Sequence, residues 1–543
     1  MTDSRALSNR QMVRAAALVL VGFLASGVLG LLRAAIISST FGAGDALDAF
    51  YAAQRIPELI FVLVAGGALG SSFIPVFNRY LLAEDEAAAW RLASAVITLS
   101  ALAAAALSLL VIVFAPLIVD TLLIPGRPAA VQALATDLTR IMMVTPFIFS
   151  ISGLLMGILQ SYGSFLLPSL AISMNNVGLM IGALVFAFII PAQLGSPAQV
   201  GAANVYGLAW GAALSALLHL GIQLPGLRGL RVQGSKLQFF PGGWRLSGVR
   251  DVLMLMGPRV LGLGVAQLNF IVNVNFASRM MPGSQTALTT AWTLMFFALG
   301  VIGQSIGTAV FPSLSALAAQ KNIADFKVRL SAALRSVLFL ALPATIVLIA
   351  FGQPLATVLF QRGEWTAESS AATAWALAFF AVGITGHAAL EVLSRAFYAL
   401  SDTRTPVFIG VASLLANIGL SVVFIQFIGQ PDQLARGPFA GLALANSVTT
   451  LLEALALWWL LRRRIGDLGD RATGVTFAKT ALACAALVLV LLGANALLAQ
   501  VGVLAVLVVG GGVGAVVFFG VALALRLEEP RAALGMVLRR FRR

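Results

Sequence analysis

The chain has 543 residues and a net charge of +14; 60% of its residues are hydrophobic, 10% are charged, and one is a cysteine. This composition excludes a soluble globular protein, because too few polar residues are present to cover the surface of such a core. The lone cysteine excludes an internal disulfide framework, and the two distant histidines, His219 and His387, argue against a metal centre. We therefore expect an all-α polytopic membrane protein.

Long apolar runs recur from one end of the chain to the other. A membrane span takes about 20 mostly apolar residues, and by this measure the sequence predicts about fourteen spans. The first run is too long for a signal-peptide core and is predicted to be a span. The predicted spans are 12–32, 48–80, 88–118, 130–161, 165–190, 202–225, 252–278, 286–317, 329–360, 370–400, 405–428, 437–461, 474–499 and 502–525.

The basic residues are concentrated in alternate loops, as the positive-inside rule predicts for a membrane protein. This distribution favours a membrane orientation over nucleic-acid binding, and it places both termini in the cytoplasm. The loops on the opposite side hold only Arg33, Arg127, Arg279, Arg362 and Arg436. The cytoplasmic segments hold Arg5, Arg10, Arg14, Arg79, Arg91, Arg228, Arg231, Lys236, Arg245, Arg250, Lys321, Lys327, Arg329, Arg404, Arg462, Arg463, Arg464, Arg471 and the tail RRFRR.

Three stretches recur in the same order at a separation of about 240 residues, which indicates an internal repeat. They are GGALGSSFIPVF (66–77) with GQSIGTAVFPSL (303–314), NNVGL (175–179) with ANIGL (416–420), and YGLAWGAALSALLHL (206–220) with AGLALANSVTTLLEA (440–454).

An even number of spans in each half gives the halves the same orientation, as in transporters built from parallel repeats. The sequence therefore predicts four segments: an N-lobe of six helices at 1–225, a cytoplasmic linker at 226–251, a C-lobe of six helices at 252–463, and two extra helices with a basic tail at 464–543.

The stretch FGAGDALDAFYAAQRIPELIF (41–61) holds Asp45, Asp48, Arg55 and Glu58 around Pro57. An ionised group at the centre of a membrane helix costs roughly 2.5 to 3.5 kcal/mol on insertion scales. The stretch is therefore either a loop or a functional site.

Several motifs resemble the MurJ/MviN family of lipid II flippases, which belongs to the multidrug/oligosaccharidyl-lipid/polysaccharide exporter superfamily. The resemblance covers nearly the whole chain, and the block from Arg33 to Pro75 is its most specific part. The motifs are LGLLRAAIISSTFGAGDALDAFYAAQRIPELI, GGALGSSFIPVF, MGPRVLG, FQRGEWT, RAFYALSDTRTPV and GLALANS.

The resemblance implies a transporter that moves undecaprenyl-diphosphate-linked peptidoglycan precursor from the inner to the outer leaflet of the bacterial cytoplasmic membrane. Two lobes would alternate access around a cationic cavity, and the two extra helices would form a groove for the lipid tail. Arginine suits such a cavity because its planar fork binds phosphate oxygens in pairs. The substrate candidates are Arg33, Asp48, Arg55 and Arg259, with Asp48 expected to brace an arginine.

Glycines and prolines in the repeated stretches are candidates for hinges and close packing between helices. Pro57 is expected to break the second predicted span at the cavity wall. The other candidates of this kind are Gly66, Gly67, Gly70, Pro75, Gly303, Gly307 and Pro312.

At three positions the chain departs from the family pattern, because Gly27, Phe61 and Thr293 stand where the motifs of the family carry further arginines. Gly66-Gly67 also replaces a Glu-Gly pair. Arg259 and Arg140 are candidates to compensate for the missing charge.

Other buried polar residues have structural as well as functional interpretations. Glu391 and Arg395 are spaced as a neutral i,i+4 pair. Glu453 and Glu391 are each candidates for binding a coupling ion. His387 is expected to be a hydrogen-bonded core residue, and Asn176 and Asn417 to join helices.

No nucleotide-binding or catalytic motif is present, so we expect no enzymatic activity and no cofactor. Energy would come from a monovalent-ion gradient, the membrane potential or the substrate gradient, and the default assembly is a monomer. The alternatives are a flippase for another polyprenyl-linked glycan, a cation-coupled multidrug exporter and a membrane scaffold without transport.

Overall fold

The computed structural model describes residues 9–64, 68–190, 203–230 and 237–531, with side chains described from residue 25 onward except at 68–71, 228–229, 258–259 and 261. The described chain consists of helices joined by turns, as the composition predicts. It divides into two compact units, Met1–Pro282 and Gly283–Arg543. The predicted lobe boundaries at 225 and 252 stay a prediction.

The helices of the first unit are α1 (Asn9–Phe41), α2 (Asp45–Ala53), α3 (Arg55–Val64), α4 (Ala68–Leu82), α5 (Glu86–Ile118), α6 (Ala129–Met142), α7 (Val144–Ser161), α8 (Leu166–Ile181), α9 (Ala187–Ile189), α10 (Tyr206–Gly221), α11 (Leu224–Gly229) and α12 (Ser247–Ala277). Single π-helical turns follow α5 and α8 at Val119–Leu123 and Gly182–Phe186, and a 3₁₀ turn precedes α12 at Pro241–Arg245.

The helices of the second unit are α13 (Ser284–Leu299), α14 (Ser305–Ala319), α15 (Ile323–Phe360), α16 (Ala367–Val382), α17 (Ile384–Ala399), α18 (Arg404–Phe427), α19 (Phe439–Ile465), α20 (Asp470–Leu498), α21 (Val503–Ala505) and α22 (Gly511–Ala524). π-Helical turns join α13 to α14 at Gly300–Gln304 and α21 to α22 at Val506–Gly510, and a 3₁₀ turn lies at Leu434–Arg436.

Within the described residues, ten helical segments are long and apolar enough to cross a membrane, and up to twelve if each of two bent pairs is one span. The bent pairs are Ser247–Gly257 with Gly262–Ala277, at 49°, and Ala367–Val382 with Ile384–Ala399, at 45°. The membrane-spanning character is confirmed, and the predicted total of fourteen is not.

The second predicted span, 48–80, comprises α2, α3 and α4 instead of one continuous helix. The break between α2 and α3 falls at Gln54, and Pro57 lies in the first turn of α3. Because proline has no backbone N–H, Pro57 cannot bond to the carbonyl of Ala53, and this accounts for the interruption predicted from the sequence.

Side-chain caps fix where three of the long helices begin. Asp85 accepts a hydrogen bond from the backbone N–H of Ala88 at 2.8 Å, and Asn322 accepts one from Asp325 at 3.2 Å. Thr366 caps α16 in the same way through Ser369. Such caps satisfy backbone donors that have no partner within the helix.

Buried asparagines join neighbouring helices within each unit, as predicted. Asn176 of α8 donates to the carbonyl of Ser26 on α1 at 3.3 Å. Asn417 of α18 donates to the hydroxyl of Thr449 on α19 at 3.3 Å. Inside a membrane such hydrogen bonds hold helices together because lipid offers no competing partner.

The two C-terminal helices pack against α15 of the second unit through an apolar cluster. Phe339 and Phe351 of α15 lie against α20 and α22, and Phe518 stacks near Phe339 at 5.3 Å between ring centroids. Cys484, the one cysteine of the chain, is buried within this cluster at 5% exposure.

Candidate functional site

Four polar residues of the charged stretch lie on one face of α2 and α3, since Asp48, Tyr51, Arg55 and Glu58 follow helical spacing. The short break at Gln54 preserves this register, because the backbone N–H of Glu58 still bonds to the carbonyl of Gln54 at 3.2 Å. The sequence therefore concentrates four polar groups on one side of two short helices.

Arg55 is held by a carboxylate and an aromatic ring. Its Nη1 donates to Oε2 of Glu58 at 2.9 Å, and its guanidinium carbon lies 5.1 Å from the ring centroid of Phe270 on α12. The side chain of Arg55 is 13% exposed, while that of Glu58 is 34% exposed. The buried Nε of Arg55 has no hydrogen-bond partner among the described residues, so this donor is available to an incoming acceptor.

Arg33 of α1 lies within electrostatic range of the same carboxylate, Glu58, and of the buried phenol of Tyr51. Tyr51 in turn lies within electrostatic range of Arg33, Arg55 and Asp48. We call Arg33, Tyr51, Arg55 and Glu58 the arginine cluster.

The charge balance of the arginine cluster favours an anion. Arg33 and Arg55 provide two positive charges, and Glu58 provides one negative charge between them. Asp48 and Asp45 share Arg127, so that neighbouring group carries one negative charge, and the surplus of one positive charge belongs to the arginine cluster alone. One positive charge in a half-buried setting attracts a phosphate strongly, since little water screens it.

Asp48 braces Arg127, a residue that the charge pattern predicts to lie in an external loop. Nη2 of Arg127 lies 2.7 Å from Oδ2 of Asp48, and the two side chains are 5% and 3% exposed. Nη1 of Arg127 lies 3.3 Å from Asp45. The expectation that Asp48 contacts an arginine is therefore met, by a residue outside the predicted substrate set.

The same arginine also reaches the segment after α12. Nη2 of Arg127 donates to the carbonyl of Met281 at 3.2 Å. Beside it, a Cβ on Gly126 would come within 2.8 Å of the backbone of Arg279. Asn275 donates to the carbonyl of Leu122 at 2.7 Å. The turn between α5 and α6 is thus docked on both α2 and the end of α12.

Some predicted site residues lie outside the described part of the structure. Gly66 and Gly67 fall in the gap before α4, and the side chain of Arg259, in α12, is not described. Gly70 and Pro75 lie within α4. The hinge and substrate roles of all these residues stay predictions.

At the three positions where the resemblance leads us to expect arginines, the chain has Gly27, Phe61 and Thr293. Gly27 lies in α1. Phe61 packs its ring against Phe149 at 5.4 Å between centroids. Thr293 donates its hydroxyl to the carbonyl of Thr289, one turn earlier, at 2.9 Å.

Arg140, a candidate to compensate for the missing charge, is engaged elsewhere in the first unit. Its Nη1 lies 3.7 Å from Asp137, and its Nε donates to the carbonyl of Ile112 at 3.3 Å. Asp137 also accepts a hydrogen bond from Tyr206 at 3.0 Å. None of these contacts involves a residue of the arginine cluster, so Arg140 does not add its charge to that cluster through them.

In the second unit the repeated glycines allow close helix packing. A Cβ on Gly303 would come within 2.8 Å of Cα of Ala388, and one on Gly307 would come within 2.5 Å of Nη1 of Arg395. Pro312 lies inside α14, as Pro75 lies inside α4. Both glycines therefore have a packing role against α17, and their role as hinges stays a prediction.

The two acids considered for ion coupling differ in their surroundings. Glu391 forms an ion pair with Arg395 on the same helix, which confirms the predicted neutral pair. Glu453 of α19 has no ion pair among the described residues and forms a hydrogen bond with Ser413 of α18. A membrane carboxyl without a counter-ion is the stronger candidate for binding a proton or cation.

The two histidines are hydrogen-bonded core residues, as predicted for His387. Nε2 of His387 lies 3.0 Å from Oδ1 of Asn446, and the ring meets Trp292 edge-on at 5.6 Å. His219 lies 2.5 Å from the hydroxyl of Ser152. Among the described residues no group of three His, Cys, Asp or Glu side chains could hold a metal ion.

Sequence reasoning missed Tyr51, Phe270 and Arg127, which complete the site. Tyr51 could have been found from the spacing of Asp48, Tyr51 and Arg55 on one helical face. No local signal points to Phe270 or Arg127, because their partners lie far away in the chain.

Comparisons with known proteins identify both the family and the fold of this chain. The family model described as lipid II flippase MurJ matches residues 37–510. The chain is similar to the lipid II flippase MurJ of Burkholderia cenocepacia, with 34% identity over 459 residues that cover 83% of this chain and 84% of that protein. It is also similar to a probable lipid II flippase MurJ of Bdellovibrio bacteriovorus, with 31% identity over 532 residues and 96% of each chain covered.

The fold is shared with a solved structure titled lipid II flippase MurJ, inward closed conformation. The TM-score is 0.74 and the sequence identity 22%, with 94% of this chain and 99% of that chain covered. At this identity the likeness supports the all-helical transporter fold and not a particular substrate.

Proposed function

This chain belongs to the MurJ family of lipid II flippases, and from that premise we propose that it carries lipid II from the inner to the outer leaflet of the bacterial cytoplasmic membrane. The observation that carries the proposal is the family match over residues 37–510, which includes the whole arginine cluster except Arg33. The protein is accordingly a multi-pass membrane transporter with a role in peptidoglycan synthesis.

The chemistry of the arginine cluster supports this substrate class. Lipid II carries a diphosphate between its sugar head and its polyprenyl tail, and this anion cannot cross hydrocarbon without a polar site. Arg55 has a free buried Nε beside its bond to Glu58. We propose that the diphosphate takes the place of Glu58 on Arg55 and is bound on its other side by Arg33.

Asp48 has a supporting role in this proposal. Its bond to Arg127 fixes the start of α2 and thereby the face that carries Tyr51 and Arg55. Arg259, on α12, is proposed as a third cation for the head group on the strength of its motif alone.

The transport cycle that we propose is alternating access by two lobes, 1–225 and 252–463, with the last two helices binding the lipid tail. The resemblance of the repeated stretches supports it. Both termini are proposed to lie in the cytoplasm, from the bias of the basic residues. Glu453 is proposed as the coupling residue in preference to Glu391, whose charge is neutralised by Arg395.

One observation favours a second candidate substrate, another polyprenyl-linked glycan. Phe61 and Thr293 stand at positions of missing arginines, and their side chains are an aromatic ring packed on Phe149 and a hydroxyl bonded to its own helix. A cluster with fewer cations suits a head group with less negative charge. A monophosphate-linked glycan would be such a substrate.

The test is rescue of cells depleted of their own lipid II flippase, with precursor at the outer leaflet as the readout. We expect the chain to restore translocation and Arg55→Ala to abolish it. Arg79→Ala is the matched control, because Arg79 also pairs with a carboxylate, Asp251 at 2.7 Å, but is 64% exposed. Failure of the folded, inserted wild-type chain to rescue would favour the other glycan.

A further inference from the structure

A charged cavity of about 490 Å³ lies in the second unit, where α20 begins and α22 ends beside α15. Its walls come from α15, from the start of α20 and from the segment after α22. This volume falls within the roughly 300 to 1,000 Å³ of small-molecule sites. The residues that matter for its chemistry are Arg335, Arg471, Lys479, Arg526, Glu528 and Glu529.

The lengths of the helices place this cavity at the boundary of the membrane. α15 has 38 residues and α20 has 29, which correspond to about 57 Å and 44 Å, whereas the hydrocarbon core is about 30 Å thick. Several residues at an end of each helix must therefore lie at the level of the lipid head groups. Arg471 lies in the first turn of α20, and Arg526 and Glu528 follow the end of α22, whereas Arg335 and Lys479 lie about three turns into their helices.

Three cations of the cavity have no partner of opposite charge. Among the described residues, Arg471, Lys479 and Arg526 form no ion pair, whereas Arg335 binds Oε2 of Glu528 at 3.0 Å. The remaining acid of the α19–α20 turn, Asp467, accepts the backbone N–H of Asp470 at 3.1 Å. The unpaired cations leave the cavity with a surplus of positive charge.

One carboxylate in the same cavity is buried and incompletely satisfied. The side chain of Glu529 is 9% exposed, and its Oε2 has no hydrogen-bond partner among the described residues. Its nearest cation is Arg335, whose Nε lies 3.8 Å from Oε1, too far for a hydrogen bond. A buried acceptor of this kind is costly to leave unpaired, and it calls for a donor from a ligand.

The cavity also opens toward apolar surface. Val475 lines it and is 46% exposed, and Leu482 and Leu489, seven and fourteen positions later on the same face of α20, are 58% and 73% exposed. In a membrane these two leucines face acyl chains. A ligand with a charged head and an apolar tail can therefore occupy the cavity without burying its tail in the protein.

We propose that this cavity binds the head group of a zwitterionic phospholipid that carries a phosphate and a primary ammonium. The phosphate lies on Lys479, Arg526 and Arg471, and the ammonium donates to Oε2 of Glu529. Phosphatidylethanolamine has this chemistry, and a soluble phosphoethanolamine has the same charges without the tail. The site is separate from the arginine cluster and does not depend on the proposed transport of lipid II.

The experiment is native mass spectrometry of the full chain in detergent, titrated with phosphatidylethanolamine, phosphatidylglycerol, soluble phosphoethanolamine and inorganic phosphate. We expect phosphatidylethanolamine to bind more tightly than phosphatidylglycerol, which lacks the ammonium. The two soluble compounds are expected to bind at least about tenfold more weakly, because they lack the tail.

Substitutions in the cavity test the contacts with the phosphate and with the ammonium separately. Lys479→Ala and Arg526→Gly are expected to lower the affinity for phosphatidylethanolamine at least about tenfold each, because each removes a charge-assisted contact. Glu529→Gln should remove the preference over phosphatidylglycerol. Arg526 has a φ of 58°, so glycine there removes the guanidinium without straining the backbone.

Arg404→Ala is the control, because it removes one exposed charge at the start of α18, away from the cavity. Equal affinity of wild type and both cation variants for the lipid would overturn the site. Equal binding of the two phospholipids by the wild type would overturn the contact with Glu529 and with it the proposal. Displacement of the lipid by inorganic phosphate would assign the cavity to a soluble anion instead.

Discussion

Arg127 and Asp48, 79 positions apart in the chain, form an ion pair with Nη2 and Oδ2 at 2.7 Å and side chains that are 5% and 3% exposed. Each side chain neutralises the charge of the other in the interior of the first unit. Since Arg127 also reaches Asp45 and the carbonyl of Met281, this pair joins three separate segments of chain.

Removal of one member of this pair should be strongly destabilising. Arg127→Ala takes the cation away from the buried carboxylate of Asp48, a change that typically costs about 3 to 5 kcal/mol. Asp48→Ala should cost less, because Arg127 keeps its contact with Asp45. Thermal unfolding of the purified protein in detergent measures this loss. Glu391→Gln is the comparison, because its pair with Arg395 is 24% and 31% exposed, and its loss should cost no more than about 1 kcal/mol.

A double variant tests the physical reason for that loss. Asp48→Leu together with Arg127→Met replaces both charges by apolar groups, which is often neutral in proteins. We expect the double variant to unfold at a temperature closer to the wild type than either alanine variant. A melting temperature as low as that of Arg127→Ala would show that the hydrogen bond to Met281, and not the charge pair, carries the stability.

Phe270 should contribute to the function of Arg55 through its ring. The guanidinium lies 5.1 Å from the ring centroid, and contacts of this kind contribute about 0.5 to 2 kcal/mol. Phe270→Leu is expected to weaken lipid II binding roughly twofold to thirtyfold at constant net charge. Binding of lipid II to the purified variant measures this, with Phe149→Leu as a control on another aromatic pair. An unchanged affinity would remove Phe270 from the site.

Two neighbouring glycines should respond differently to alanine. A Cβ on Gly303 would lie 2.8 Å from Cα of Ala388, whereas a Cβ on Gly300 would meet nothing within 4 Å. Gly303→Ala should destabilise the protein by about 1 to 3 kcal/mol through overpacking. Gly300→Ala should be neutral or stabilising by up to about 1 kcal/mol, because alanine favours helix. Equal melting temperatures would contradict the close approach of α17.

The turn between α17 and α18 should make stability depend on pH. Partial burial acts to raise the pKa of Asp402, but hydrogen bonds from Thr405 and the charge of Arg464 outweigh it and hold that pKa below its usual value. A lowered pKa in the folded state stabilises the protein fully above the unfolded value of about 4 and loses this contribution as the pH falls through the folded value.

The variant Asp402→Asn isolates this contribution. Its melting temperature should lie below that of the wild type at pH 6 and approach it as the pH is lowered past about 4. Arg464→Ala should reduce the same difference, since Nη1 of Arg464 lies 2.8 Å from Oδ2 of Asp402. A constant difference between the two proteins from pH 3 to pH 7 would contradict the assignment.

The sequence predicts those features of the fold that depend on short-range spacing. The apolar runs indicated membrane helices, the i,i+4 spacing of Glu391 and Arg395 indicated their ion pair, and Asn417 was expected to bind a neighbouring helix. All three follow from the period of the helix or from the cost of a polar group in lipid.

The site was less predictable, because its partners come together only in the folded chain. Arg127 lies in the turn between α5 and α6, as the sequence predicts, but its partner Asp48 is 79 positions away and no local spacing points to it. The sequence correctly predicts that Asp48 contacts an arginine, but no local rule shows whether that arginine is Arg33, Arg55 or Arg127. The break within 48–80 could be predicted near Pro57, because proline removes a backbone donor.

The burial of Cys484 has a practical consequence for chemical labelling. Because this is the only thiol in the sequence and it lies on α20 at 5% exposure, in the apolar cluster that includes residues of α15 and α22, the native protein should react slowly with polar maleimides. A cysteine introduced at any loop position would then be the dominant reactive group without prior removal of native residues. The proposed cytoplasmic orientation of both ends can be mapped in intact cells on this background, one engineered thiol at a time.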